Sequence, residues 1–147
     1  MTNLVPSCRI DSLSSFCDFR ATVDVLRLDL LHPVVSGNKW FKLKNYLAEA
    51  GDKTILTFGG AYSNHIVATA AAAKEKGKNC IGIIRGEKPE WYSPTLLQAL
   101  EYGMKLFFTS REAYRHHFVP NDIYNLVPKE ELFIIPEGGY GKVGMKG

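Results

Sequence analysis

An open α/β layer, a four-stranded parallel sheet with helices on both faces, is the fold class predicted for this 147-residue chain. Three observations predict it. Short continuous apolar runs alternate with segments of helical spacing, glycines stand where the helical segments stop, and the alternation fills one stretch from Thr54 to Ile135. A parallel crossover must carry the chain back over a face of the sheet, so its strands are buried on both sides and read as unbroken apolar runs.

The elements follow in order. Thr22 to Leu30 alternates with strand parity, and Pro33 breaks it. Ser36-Gly37-Asn38 supplies the small polar residues that precede a helix, and from Lys39 to about Ala50 the apolar Phe41, Leu43, Tyr46, Leu47 and Ala50 recur at helical spacing before Gly51. A strand is predicted at Thr54–Phe58, then the turn Gly59-Gly60-Ala61-Tyr62-Ser63-Asn64, then an alanine-rich helix from about His65 to Lys76 that stops at Gly77. The cycle repeats with strand Cys80–Ile84, helix Pro94 to Tyr102, Gly103 and strand Lys105–Thr109. It closes with Ser110 capping a helix from Glu112 to Phe118, a looser segment from Val119 to Lys129, and strand Leu132–Ile135. Ligands of such layers lie beyond the carboxyl ends of the strands, which singles out two loops, Gly59 to His65 and Glu137 to Gly144.

Composition excludes several classes. A hydrophobic share of 46% and a charged share of 22% suit a globular domain, and a net charge of +3 scattered along the chain argues against nucleic acid as a partner. Ile66 to Ala73, the longest apolar-looking run, is far short of the roughly 20 residues that cross a bilayer, so no membrane association is expected. No secretory signal is expected from the first residues, and Cys8, Cys17 and Cys80 form no CxxC and cannot all pair with one another, so a reduced, cytoplasmic setting is expected.

Two helix starts could bind or react. Ser63-Asn64-His65 opens a helix whose first amides lack backbone partners, a place that binds phosphate or carboxylate; equally, Ser63 and Asn64 could simply cap the helix. Lys39 also stands at a helix start, where the dipole disfavours an ammonium and lowers its pKa, as a nucleophilic amine requires. Lys42, three residues on, would lower it further and could meet a phosphate, although two solvated surface lysines would read the same way.

Other signatures are missing. Gly59 to Asn64 is not GxGxxG, Met145 stands where a P-loop lysine belongs after Gly139 to Gly144, and Ser63 lacks the glycines of a hydrolase elbow. His116-His117 reads as an exposed helix face rather than a metal site, and Lys74-Glu75-Lys76 as a solvated helix end.

Taken together, SGNKWFKLKNYL, LTFGGAYSNHIVATAAAAKEKG and IIPEGGYGKVGMKG resemble the family of 1-aminocyclopropane-1-carboxylate deaminases and D-cysteine desulfhydrases, from about Leu28 to the last residue. The resemblance implies the tryptophan-synthase-β-like group of pyridoxal 5'-phosphate (PLP) enzymes, of fold type II, in which a large domain is interrupted by a smaller open α/β domain. On that reading residues 1–38 belong to the large domain, 39–136 form the small domain, and 137–147 begin the return into a large domain that continues beyond Gly147. The resemblance implies Lys39 as the lysine that carries the cofactor, Ser63 as the serine facing the substrate, and Asn64 as the partner of the cofactor's 3-hydroxyl. It also implies that the amides of Ser63, Asn64 and His65 hold the substrate carboxylate and that Lys42 approaches the cofactor phosphate.

The function implied is release of a 2-oxo acid and ammonia from a small amino acid, by a full-length form expected to be a homodimer. Tyr62 stands where deaminase members carry glutamine. The alternative is a noncatalytic α/β module that binds a small molecule or a protein. The enzyme reading makes one geometric demand: Lys39 and the Ser63–His65 turn must open toward one cavity.

Overall fold

The computed structural model describes residues 8–13 and 21–146. Cys17 and Gly147 lie outside the described residues. The expected α/β layer is present: β3 (Thr54–Gly59), β4 (Cys80–Arg85), β5 (Lys105–Thr109) and β6 (Leu132–Ile135) form a four-stranded sheet in the order β5-β4-β3-β6, every pair parallel. A separate antiparallel pair, β1 (Ile10–Ser12) and β2 (Asp24–Leu26), precedes it.

Helices cover both faces. On one side α1 (Asn38–Glu49), α2 (Asn64–Glu75) and α3 (Pro94–Glu101) enclose a core that includes Leu43, Leu47, Ile55, Ile66, Ile84, Leu96 and Ile135. On the other, α4 (Arg111–Arg115) and α5 (Asn121–Tyr124) cover Leu56, Phe58, Ile81 and Ile83. The two sets alternate along the strands because successive side chains point to opposite faces. Burying each large aliphatic side chain contributes about 1.5–3 kcal/mol.

Helix α2 is buried nearly all round, from His65 to Ala73, which explains its run of alanines: small side chains let a helix lie between the sheet, α1 and α3. At Gly59 a Cβ would stand 2.4 Å from Ile66 Cγ1, so the glycine is what allows the first turn of α2 to press on the end of β3.

Two expectations are corrected. The strand predicted over Thr22–Leu30 is only Asp24–Leu26, because Leu28–Leu30 forms a 3-10 turn whose Leu28 carbonyl accepts from Gly37 N–H at 2.8 Å. The helix expected to reach Phe118 stops at Arg115, since His117 adopts φ 48° and turns its ring onto Phe58 and Tyr114. The Lys74-Glu75-Lys76 end is exposed, as expected of a solvated helix end, and also carries contacts: Glu75 Oε1 lies 2.7 Å from His32 Nε2, and Lys74 Nζ donates to Glu101 O at 3.1 Å. Among the described residues, no helix is long and apolar enough to cross a membrane.

After β6 the chain turns through residues 137–139 and enters a short helix, α6 (Lys142–Met145), packed on α1. Tyr46 O–H donates to Tyr140 O at 2.8 Å, fastening this return segment to α1. Gly144 has no room for a side chain, because a Cβ there would stand 2.2 Å from Gly139 O.

Candidate functional site

The start of α1 is set by the loop before it. His32 Nδ1 accepts from Val34 N–H at 3.1 Å and Val35 N–H at 2.8 Å, while the Nε2 side faces Glu75 of α2. One imidazole thereby fixes the loop and anchors it to a neighbouring helix. Gly37 then takes φ 57°, a left-handed value suited to glycine, and the helix begins.

Lys39 projects from the first turn of α1 toward the return segment. Its Nζ donates to Gly138 O at 2.9 Å, and Gly138 itself has φ 69°. The lysine is partly buried, and its pKa lies below the ordinary lysine value, chiefly through burial and then through the Lys42 charge. The lowering matches the direction read from the sequence, with desolvation as its leading cause. Lys42 is half-buried, and its Cβ would meet a Cβ at Gly139 at 3.2 Å, so its stem packs under the same turn.

The Gly59–His65 turn arrives from the other side. Ser63 is the N-cap of α2 by backbone conformation, but its side chain makes no cap hydrogen bond. The Ser63 amide donates to Gly60 O at 3.0 Å, whereas the Asn64 and His65 amides make no backbone hydrogen bond among the described residues. Two free donors at a helix mouth suffice for one carboxylate.

Asn64 and Lys39 line the same open cavity of about 340 Å³, together with Val34, Ser36, Asn38 and Gln98. Ser63 does not line it; its Oγ lies 3.0 Å from where a Gly59 Cβ would stand, beside the carboxyl end of β3. The structure thus unites Lys39 with Asn64 and sets Ser63 one residue back, at the turn.

His65 is buried, and its imidazole joins a chain that the sequence did not reveal. Thr57 O–H donates to Ile135 O at 2.8 Å, and the Thr57 oxygen lies 2.8 Å from His65 Nε2. The single hydroxyl proton goes to the carbonyl, so His65 Nε2–H is the donor to Thr57 and Nδ1 is a bare acceptor. That Nδ1 is buried and has no hydrogen-bond partner. The imidazole is pulled down to about 3, by burial first and then by the charges of Lys39 and Lys42, so it is neutral at ordinary pH. A threonine inside an apolar strand looks like any other β-branched residue, so only the facing histidine could have hinted at the pair.

The chain is similar to proteins of known name. It is 35% identical over 130 residues to a 1-aminocyclopropane-1-carboxylate deaminase, by name, of Thermotoga maritima, covering 84% of this chain and 41% of that protein. It is 31% identical over 137 residues to the bifunctional D-cysteine desulfhydrase/1-aminocyclopropane-1-carboxylate deaminase, mitochondrial, of Arabidopsis thaliana, covering 84% of this chain and 34% of that protein. Among solved structures, a homologue of 1-aminocyclopropane-1-carboxylate deaminase superposes with a TM-score of 0.73 at 27% identity, over 93% of this chain and 44% of its own. The chain therefore spans about two fifths or less of the curated relatives it matches. No family model matches it.

Proposed function

We propose that this chain, a homologue of the 1-aminocyclopropane-1-carboxylate deaminases and D-cysteine desulfhydrases, provides the small domain and the reactive lysine of a PLP-dependent deaminase or desulfhydrase. One observation above all supports the reading. A partly buried lysine with a lowered pKa opens into the same cavity as the first residue of α2, although the two come from different elements.

The residues fit the cofactor. Lys39 offers a primary amine whose hydrogen-bond partner is a carbonyl rather than a carboxylate, so the neutral amine loses no ion pair when it reacts. Asn64 offers a carboxamide on the same wall that would bond a phenolic oxygen such as the 3-hydroxyl, and Lys42, whose stem packs under the 137–139 turn, would supply a second cation toward the phosphate. When bound, the cofactor supplies the electron sink for the bond broken at the substrate's Cα.

The chain's own residues have separate tasks. The Asn64 and His65 amides bind the substrate carboxylate at the α2 mouth, with the Ser63 amide committed to Gly60 and the Ser63 hydroxyl set back beside the end of β3. Lys39 Nζ takes and returns a proton at substrate carbon, and burial shifts it toward the neutral form that the task requires. His65, locked to Thr57, holds the α2 start against β3 and β6.

Residues 39–136 act as the small domain, with 1–38 and 137–147 belonging to the large one. The substrate is a small amino acid of the 1-aminocyclopropane-1-carboxylate or D-cysteine type, the setting cytoplasmic, and the full-length form a homodimer. The test is to mix the protein with substoichiometric PLP, reduce with borohydride and map the modified lysine by peptide mass spectrometry. Modification concentrated at Lys39 is expected; labelling spread evenly over surface lysines would overturn the assignment.

A further inference from the structure

The α4 face of the sheet holds a second cavity, of about 510 Å³, lined by Arg85, Arg111, Tyr114, Arg115, His117 and Glu137. Arg85 ends β4, while Arg111 and Arg115 lie four apart on α4 and so share one face of that helix. Three arginines thus line one space. Among the described residues, no carboxylate lies within ion-pair distance of any of them.

The Tyr114 ring forms part of the cavity wall. Tyr114 is only 4% exposed, and its hydroxyl is buried beside the Glu137 carboxylate. Burial first, and then that adjoining carboxylate, keeps the phenol protonated. Arg85 lies over the Tyr114 ring at 5.7 Å, which fixes the guanidinium while leaving its edges free for paired hydrogen bonds. His117 stacks edge-on against Phe58 at 5.0 Å and faces Glu137 at 3.6 Å, so the opposite wall is built as well.

We propose that Arg85, Arg111 and Arg115 form a binding pocket for a phosphate-class dianion, separate from the Lys39 cavity. Three guanidinium charges against one carboxylate leave an excess of two positive charges, the charge of a phosphate monoester. The volume exceeds what a bare ion fills and leaves room for the group that the phosphate is attached to. The 137–139 turn divides the two places: Glu137 faces this pocket, and the Gly138 carbonyl holds Lys39.

The probe is inorganic phosphate, titrated into isotope-labelled protein at constant ionic strength and followed by NMR, with acetate and chloride as parallel titrants. Saturable shifts centred on Arg85, Tyr114 and His117 are expected with phosphate alone. Arg111→Gln with Arg115→Gln should weaken the affinity by roughly tenfold or more without changing the fold. Glu137→Gln, which removes the competing carboxylate, should tighten it. Shifts that grow linearly with phosphate, that acetate reproduces, or that persist in the double arginine variant would each overturn the proposal. PLP bound at Lys39 should give the same visible absorbance in that double variant; its loss would assign the arginines to the cofactor site and overturn the separate pocket.

Discussion

Lys39 Nζ and the carbonyl of Gly138, 99 residues apart in sequence, meet at 2.9 Å. The amine at the head of α1 is thereby held by the turn that follows β6, and its direction depends on a segment far down the chain. Covalent chemistry at this atom requires an amine that can lose its proton, which a guanidinium does not do. Lys39→Arg is expected to keep the charge and the helix while abolishing visible absorbance with PLP and any 2-oxo acid release from D-cysteine or 1-aminocyclopropane-1-carboxylate. Lys42→Arg should retain both in large part, since a phosphate accepts either cation. Spectra of the two variants decide the matter, and a Lys39→Arg protein indistinguishable from the parent would sink the mechanism.

Thr57 sits between His65 and Ile135 with its hydroxyl bonded to both. Thr57→Val conserves shape but leaves a buried N–H and a buried carbonyl unsatisfied, at a cost of about 2–4 kcal/mol. Thr57→Ser should recover most of that. Urea unfolding of the three proteins provides the comparison, and equal midpoints for parent and Thr57→Val would contradict the hydrogen-bonded chain.

The same imidazole gives stability a pH dependence. An unfolded chain binds a proton at His65 near the ordinary value of 6.5, whereas the folded protein does so only near 3. The contribution is therefore present above about pH 6.5 and is lost as pH falls toward 3, with a slope approaching about 1.4 kcal/mol per pH unit. Between pH 7 and pH 5 the parent should lose about 1–2 kcal/mol more than His65→Gln in paired urea titrations. Parallel losses in the two proteins would mean that His65 is not buried in its neutral form.

Gly59 is predicted to tolerate no side chain. A methyl group there stands inside contact distance of both Ile66 Cγ1 at 2.4 Å and Cδ1 at 2.8 Å. Gly59→Ala should cost about 1–3 kcal/mol by pushing the first turn of α2 off the sheet. Gly60→Ala, whose nearest neighbour is Arg85 Nη2 at 3.7 Å, should cost less. Thermal unfolding of the pair checks the order, and the reverse ranking would refute the packing argument.

The sheet was legible because its signals are local. The strands Lys105–Thr109 and Leu132–Ile135 fall where unbroken apolar runs placed them, and the glycines after α1, α2 and α3 mark real helix ends with positive φ at Gly51, Gly77 and Gly103. The end of α4 was not legible, because a histidine at positive φ does what glycine did elsewhere, and its stabilising contacts with Phe58 and Tyr114 are tertiary. The site was legible in part. Lys39 and Asn64 announce themselves at helix starts, but the Gly138 carbonyl, the Thr57–His65 pair and the unpaired arginines become visible only when distant segments are brought together.

The placement of β6 beside β3 bears on the order of assembly. Thr54 faces Leu132 in the ladder, so the pairing closes a loop that contains three crossovers, with β4 and β5 between them. Loop closure of that length is entropically costly and slows folding in proportion to the sequence separation of its contacts. During synthesis α1, β3, α2 and β4 emerge well before β6, so Lys39 spends that interval without its carbonyl partner. The Lys39 amine therefore gains its carbonyl partner only after β6 has docked, so a probe of that hydrogen bond reports closure of the sheet.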